Sequence, residues 1–356
     1  MWERRNHIRK PRNGPQVLTG VRVTQRLLDG LQALHSDFLR GVRDGRKISM
    51  RRCDLSGLDF GGMELSKAEL LACTFDGARL AGANFRLANL FAANFNNADL
   101  TGANFDKADL RASSFERANL TDASLEGADL RDCAIMDDQT NQIGALVPSS
   151  FRNAMLRGTN MADSKLKSAV FNGAILRDAD MRNADMRSAR FLGAEITGTK
   201  LTGARLAEAD LRGAALDPSD LSGVDLTCAK TANTLGVTDE WIREKLAAHD
   251  EWIASGTQFG ERADFAGLEL SGRNFSRVNL AAANLEAATL VGADFSGAML
   301  AAVNLRGANL LNANLRGADI RGADLLDTNM RGANMADCNS GVLPGTLLMT
   351  LLKKAV

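Results

Sequence analysis

Three groups of side chains in this 356-residue chain have types and spacings that could carry chemistry. Asn84, Asn89, Asn94, Asp99, Asn104 and Asp109 recur every five residues. Rows of closely spaced carboxylates are the raw material of general acid–base catalysis. His35 and His249 have the residue type for proton transfer or metal ligation. Five cysteines could serve as nucleophiles or ligands. None of these groups has the partners that its chemistry requires. No G-x-x-x-x-G-K-S/T, H-E-x-x-H or G-x-S-x-G motif occurs, and no C-x-x-C pair. His7 lies among N-terminal arginines. The expectation is a non-enzymatic protein with no catalytic residue, no cofactor and no metal.

A stronger pattern places these polar residues. From Leu55 through Phe60, Leu65, Leu70 and Phe75 to Ile135, every fifth residue is Leu, Phe or Ile, 17 positions in all. The pattern resumes one residue out of phase at Phe151 and reaches Leu226 in 16 positions, with Met admitted. It returns from Phe265 to Met335 for 15 more. Two places before each centre stands a small residue, such as Ala78, Ala83 or Cys73. One place before stands Asp or Asn. A small and a large residue two apart share one side of an extended segment, so these two point inward and the rest face water. Asp and Asn bond nearby backbone N–H groups, which suits a chain that turns every few residues. A short fixed repeat over this length specifies a solenoid.

The Phe residues set the size of one coil. Phe75, Phe95 and Phe115 are 20 apart, as are Phe85 and Phe105. Four units per coil place like residues above one another and put the two Phe rows on opposite walls. Stacked end to end, the coils would span about 58 Å at roughly 4.8 Å each. The units Ala98-Asp99-Leu100-Thr101-Gly102 and Ala103-Asn104-Phe105-Asp106-Lys107 resemble the motif of the pentapeptide-repeat family. The resemblance covers about two-thirds of the chain. It implies an all-β solenoid, a right-handed quadrilateral β-helix.

The interruptions divide the chain. Residues 1–20 read as a disordered basic arm, rich in Arg and Lys. An N-terminal cap helix is expected within 21–50, beginning near Thr24, with Leu27, Leu31, Leu34 and Phe38 as its apolar stripe. A first solenoid follows over 51–230, with a loop at 136–150. Residues 231–256 read as a second cap helix. A shift of 214 residues aligns Leu27, Leu28, His35, Phe38 and Leu39 with Trp241, Ile242, His249, Trp252 and Ile253. This correspondence points to an internal duplication and gives both histidines the same structural place. A second solenoid spans 257–340. Residues 341–356 read as a C-terminal helix whose Leu347, Leu348, Leu351 and Leu352 would either cap the last coil or pair with a second copy in a homodimer.

Charge narrows the partners. The chain carries 43 basic and 43 acidic residues. Residues 1–50 are net +7, 51–135 net −4, 151–230 net +2 and 257–340 net −2. No apolar run is long enough to span a membrane. Cysteines in the small inward slot (Cys53, Cys73, Cys133 and Cys338) fit reduced thiols in a cytoplasmic protein.

Function is then expected where the period is broken or decorated. The candidate partner-binding residues are Asp137, Asp138, Gln139 and Asn141 in the loop, and the basic columns Lys165, Lys167, Arg187, Arg205, Arg157 and Arg177. Val291 and Leu311 form an outward apolar pair. The favoured reading is a scaffold that binds another protein along a rigid solenoid face. The alternative comes from the resemblance: some family members mimic duplex DNA and bind or protect a type II topoisomerase, gyrase. Neutral overall charge disfavours that reading, because mimicry requires a sustained negative field.

Overall fold

The computed structural model describes residues 17–136, 143–215, 221, 224–231 and 237–343. Its unit is set by hydrogen bonding between coils 20 residues apart. Thr74 bridges Asn94 in parallel, Asn94 bridges Ser114, and the other three rows behave alike. The N–H of Phe75 donates to the Asn94 carbonyl at 2.6 Å, and the N–H of Asn94 donates to the Cys73 carbonyl at 2.9 Å. The N–H of Ala78 donates back to Phe75 at 3.0 Å and closes the corner. The second residue after nearly every described centre takes a left-handed conformation. Gly102 adopts it at φ 64° without a Cβ penalty, whereas Lys107 adopts it at φ 57° in the same slot.

The centres and the small residues before them fill a dry interior. Phe75, Phe95, Phe115, Phe151, Phe171 and Phe191 are all buried and stack as one column. Phe95 and Phe115 lie 5.0 Å apart at 6° between planes. Phe85 and Phe105 stack at 5.0 Å and meet the first column edge-on. Such contacts add to the area term of each buried ring. Cys53 and Cys73 are buried here, and burial pushes the Cys73 thiol up to about 12.

Two features of the first rod differ from expectation. Leu18–Thr19 (β1), assigned above to the disordered arm, pairs in parallel with Ser49–Arg51 (β2), which pairs with Glu69–Leu71 (β3). The open edge of the first coil leaves N–H and carbonyl groups unpaired, and β1 satisfies them. Ile135 does not occupy an inward slot. It lies half-buried in Cys133–Met136 (β4), which pairs antiparallel with Ile143–Val147 (β5). The interruption is therefore a hairpin that leaves the wall after Leu130. Its place in the column is taken by Phe151, which stacks on Phe115 at 4.9 Å. One hydrophobic core runs through this break, from Val23 to Ala214.

Helix Gln25–Leu39 (α1) begins at Thr24, whose hydroxyl accepts from the Leu27 N–H. Helix Asp239–Ala254 (α2) begins at Thr238, whose hydroxyl accepts from the Trp241 N–H. Each helix is pinned to its coil by its histidine. The N–H of Ile48 donates to His35 Nδ1, and the N–H of Ala263 donates to His249 Nδ1, both at 3.1 Å. Nε2 of His35 bonds the Ser66 carbonyl at 2.9 Å. A second core begins at Ile242 and ends at Ile320.

The two rods do not stack end to end in a 58 Å column. They lie side by side and antiparallel. Arg152 meets Asp327, Leu192 packs on Gly307, and Arg212 packs on Gly267. Rising residue numbers on one rod thus face falling numbers on the other. No helix among the described residues is long and apolar enough to cross a membrane.

Candidate functional site

The outer walls are lattices of short polar bonds. Asp and Asn before each centre accept from the backbone N–H two residues later, as Asp99 does from Thr101. Many also bond the next coil: Asn314 Nδ2 donates to Asp294 at 2.9 Å, and Asn84 Nδ2 to Glu64 at 2.8 Å. These groups are held by structural bonds rather than poised for proton transfer.

The predicted basic columns are interleaved with acids. Arg187 makes a bidentate pair with Asp185 at 2.7 Å on both arms. Arg205 approaches the same carboxylate at 3.9 Å. The Arg187 bonds hold the Asp185 carboxyl below the usual range. Lys165 lies 3.9 Å from Asp129, and Arg157 lies 4.0 Å from Asp178. Lys167 has no hydrogen bond or ion pair among the described residues. Arg177 turns to Glu195. The pattern is neutral on the scale of one ion pair. Asp137, Asp138, Gln139 and Asn141 lie outside the described residues, as do Leu347, Leu348, Leu351 and Leu352.

The hairpin supplies the clearest break in this lattice. Leu146 is 64% exposed, and Val147 beside it is also exposed. Among the described residues the two strands pair with each other alone, so there both outer edges keep free backbone groups.

Between the rods lies a seam that the five-residue period did not reveal. Asp327 is almost fully buried and accepts from Arg152 Nε at 3.0 Å and from Asn172 Nδ2 at 3.0 Å. Glu195 is equally buried and takes Arg177 of its own rod together with Arg331 of the other, the latter at 3.4 Å. The backbones approach closely. A Cβ at Gly213 would sit 2.9 Å from the Ala287 and Gly307 carbonyl oxygens. Val291 and Leu311, expected as an exposed pair, are half-buried on the ridge that also carries Arg331. The missed signal was an apolar residue in an outward slot. Val170 stands where Asp or Asn is usual and is fully buried.

Family models agree with the repeat. A model described as a pentapeptide repeat region matches residues 48–125. A model of pentapeptide repeats in eight copies matches 164–203, 204–230, 261–297 and 298–337. Together they cover more than half of the chain. Among solved structures, HetL, a pentapeptide repeat protein involved in heterocyst differentiation regulation from the cyanobacterium Nostoc, is 21% identical. That match covers 85% of this chain and 95% of HetL at a TM-score of 0.22. QnrB1, a plasmid-mediated fluoroquinolone resistance protein, is 14% identical over 85% of this chain and 98% of its own, at a TM-score of 0.24. A thylakoid-lumen protein of Arabidopsis thaliana is 31% identical over 34% of this chain and 70% of its own, at 0.23. No curated protein sequence matches.

Proposed function

Because the chain belongs to the pentapeptide-repeat family, we propose that it is a non-enzymatic scaffold whose first rod binds a protein partner. The coils are read as right-handed and four-sided. The modules are 51–230 and 257–340, with α1 and α2 as caps at their starts. The C-terminal segment with Leu347 and Leu351 is read as the remaining cap or as a homodimer contact.

The observation that carries the reading is the projecting hairpin. Leu146 and Val147 are apolar, exposed and set on a strand with a free edge. They rise from a wall whose other side chains are fixed in a rigid lattice. A partner strand could add to that edge, with Leu146 as its anchor. Asp137, Asp138, Gln139 and Asn141 would then supply polar contacts to the partner. Lys165, Lys167, Arg187 and Arg205 would supply contacts along the neighbouring wall. Charge favours this over duplex mimicry of the kind that engages gyrase, since the wall carboxylates alternate with arginines.

The test compares native protein with Leu146→Asp/Val147→Asp in partner capture from the native lysate, read by quantitative mass spectrometry. A specific partner should be lost with the double variant while the melting temperature stays unchanged. The same recovered proteins from both would contradict the reading.

A further inference from the structure

The cap helix of the first rod leaves its apolar stripe in water. Leu27, Leu34 and Phe38 share one face of α1, yet they are 42%, 37% and 38% exposed. The coil is met instead by Leu28 and His35, both buried. Leu31 of the stripe packs on the first core and is partly buried. The chain after the helix folds back against it. The N–H of Val42 donates to the Asp37 carbonyl at 2.9 Å, and the N–H of Arg46 donates to the Leu34 carbonyl at 2.8 Å. Val42, Arg43 and Arg46, all exposed, are thereby held beside the last turns of α1.

Capping a coil does not require this surface. Helix α2 caps the second rod with the same Thr and the same histidine bond. At the equivalent positions, 214 residues on, stand Trp241, Ala248 and Trp252, all half-buried. Trp241 packs on the second core. The charges differ as well. Residues 17–50 carry six basic and three acidic groups, whereas the equivalent 231–264 carry three basic and seven acidic. Residues 1–16, which join the chain at this end, add five basic and one acidic. The second rod faces residues 152–213 of the first, far along the rod from α1.

We propose that the α1 end of the first rod binds an anionic lipid surface, with the helix lying in the headgroup layer. Charge complementarity selects this partner. Leu27, Leu34 and Phe38 enter the boundary beneath the headgroups, and Arg22, Arg43 and Arg46 meet the lipid phosphates. The basic residues of 1–16 add longer-range attraction. A nucleic acid would take the cations and leave the apolar stripe in water. Three partly exposed side chains bury too little to anchor the chain irreversibly, so binding is reversible and salt-dependent.

Flotation of the full chain with vesicles tests this, comparing phosphatidylcholine alone with phosphatidylcholine mixed with phosphatidylserine. Binding should require phosphatidylserine and fall at least ~10-fold from low to physiological salt. Leu34→Asp/Phe38→Asp and, separately, Arg43→Glu/Arg46→Glu should each weaken it at least ~10-fold. The arginine pair lies outside the helix and keeps the test decisive if the apolar pair lowers the melting temperature. Leu146→Asp/Val147→Asp, on the hairpin, should bind vesicles as the native chain does, so this surface and the partner site stand or fall separately. Displacement from vesicles by duplex DNA, with native vesicle binding by Leu34→Asp/Phe38→Asp, would assign the surface to nucleic acid and overturn the proposal. Absence of phosphatidylserine-dependent flotation, or native affinity in the arginine variant, would overturn it too.

Discussion

Glu195 on the first rod accepts from Arg331 on the second, 136 positions later in sequence, with a side chain only 1% exposed. A buried carboxylate is retained only when its partners are present. The pair therefore reports that the chain folds back on itself. It presents two short parallel-sided rods rather than one long one.

Truncating that carboxylate should uncouple the rods. Glu195→Ala leaves Arg177 and Arg331 without their acceptor. Both arginines are half in water, so the expected loss is about 2–3 kcal/mol, below the range for a fully buried pair. Urea denaturation followed by hydrogen exchange should place the loss in the second rod and in residues 170–215.

The glycines at the joint are required for close approach. Gly213 adopts φ +69°, and a Cβ there would strike two carbonyls. Gly213→Val should open the seam while leaving each core intact. Solution scattering should show a larger radius of gyration with unchanged circular dichroism.

The Phe column should behave as one packed unit. Phe115→Ala removes a ring stacked on both Phe95 and Phe151, at an expected cost of ~3–5 kcal/mol. Phe115→Leu keeps most of the volume and should cost less than half as much. Equilibrium denaturation distinguishes the two.

Acid should loosen the helices before it loosens the walls. Burial lowers the basicity of His35 and His249 below the ordinary value of 6.5. Both accept a backbone N–H at Nδ1, so the neutral ring is the one that fits. The unfolded chain then binds more protons than the folded one below that value, and stability rises with pH. The contribution is complete above pH 6.5 and declines as pH falls. The depressed carboxylates, such as Glu64 and Asp185, act only below their own ordinary values of 4.5 and 3.8. Urea midpoints between pH 7.5 and 5 should therefore fall in the native protein. The fall should be smaller in His35→Gln/His249→Gln.

Much of the interior was legible in sequence because one rule governs it. The rows through Phe75 and Phe85 were set by the period of 20, and Thr24 marked the start of the first helix. The aligned histidines proved to have the same bond to the coil. Ile135 was misplaced because an apolar residue in phase is indistinguishable from one on a hairpin strand until the partner strand is seen. The joint was illegible for a different reason. Outward slots tolerate almost any residue, so Val170, Leu192 and Gly213 looked like ordinary variation. Only the fold shows that they share a wall.

The most direct test is a double-mutant cycle on Arg152 and Asp327, which are 175 residues apart in sequence. Arg152→Ala, Asp327→Ala and the double variant are compared by urea denaturation of the full chain. Side-by-side antiparallel rods predict a coupling of about 1–3 kcal/mol. Additivity within roughly 0.3 kcal/mol would contradict the arrangement, because groups that never meet do not couple.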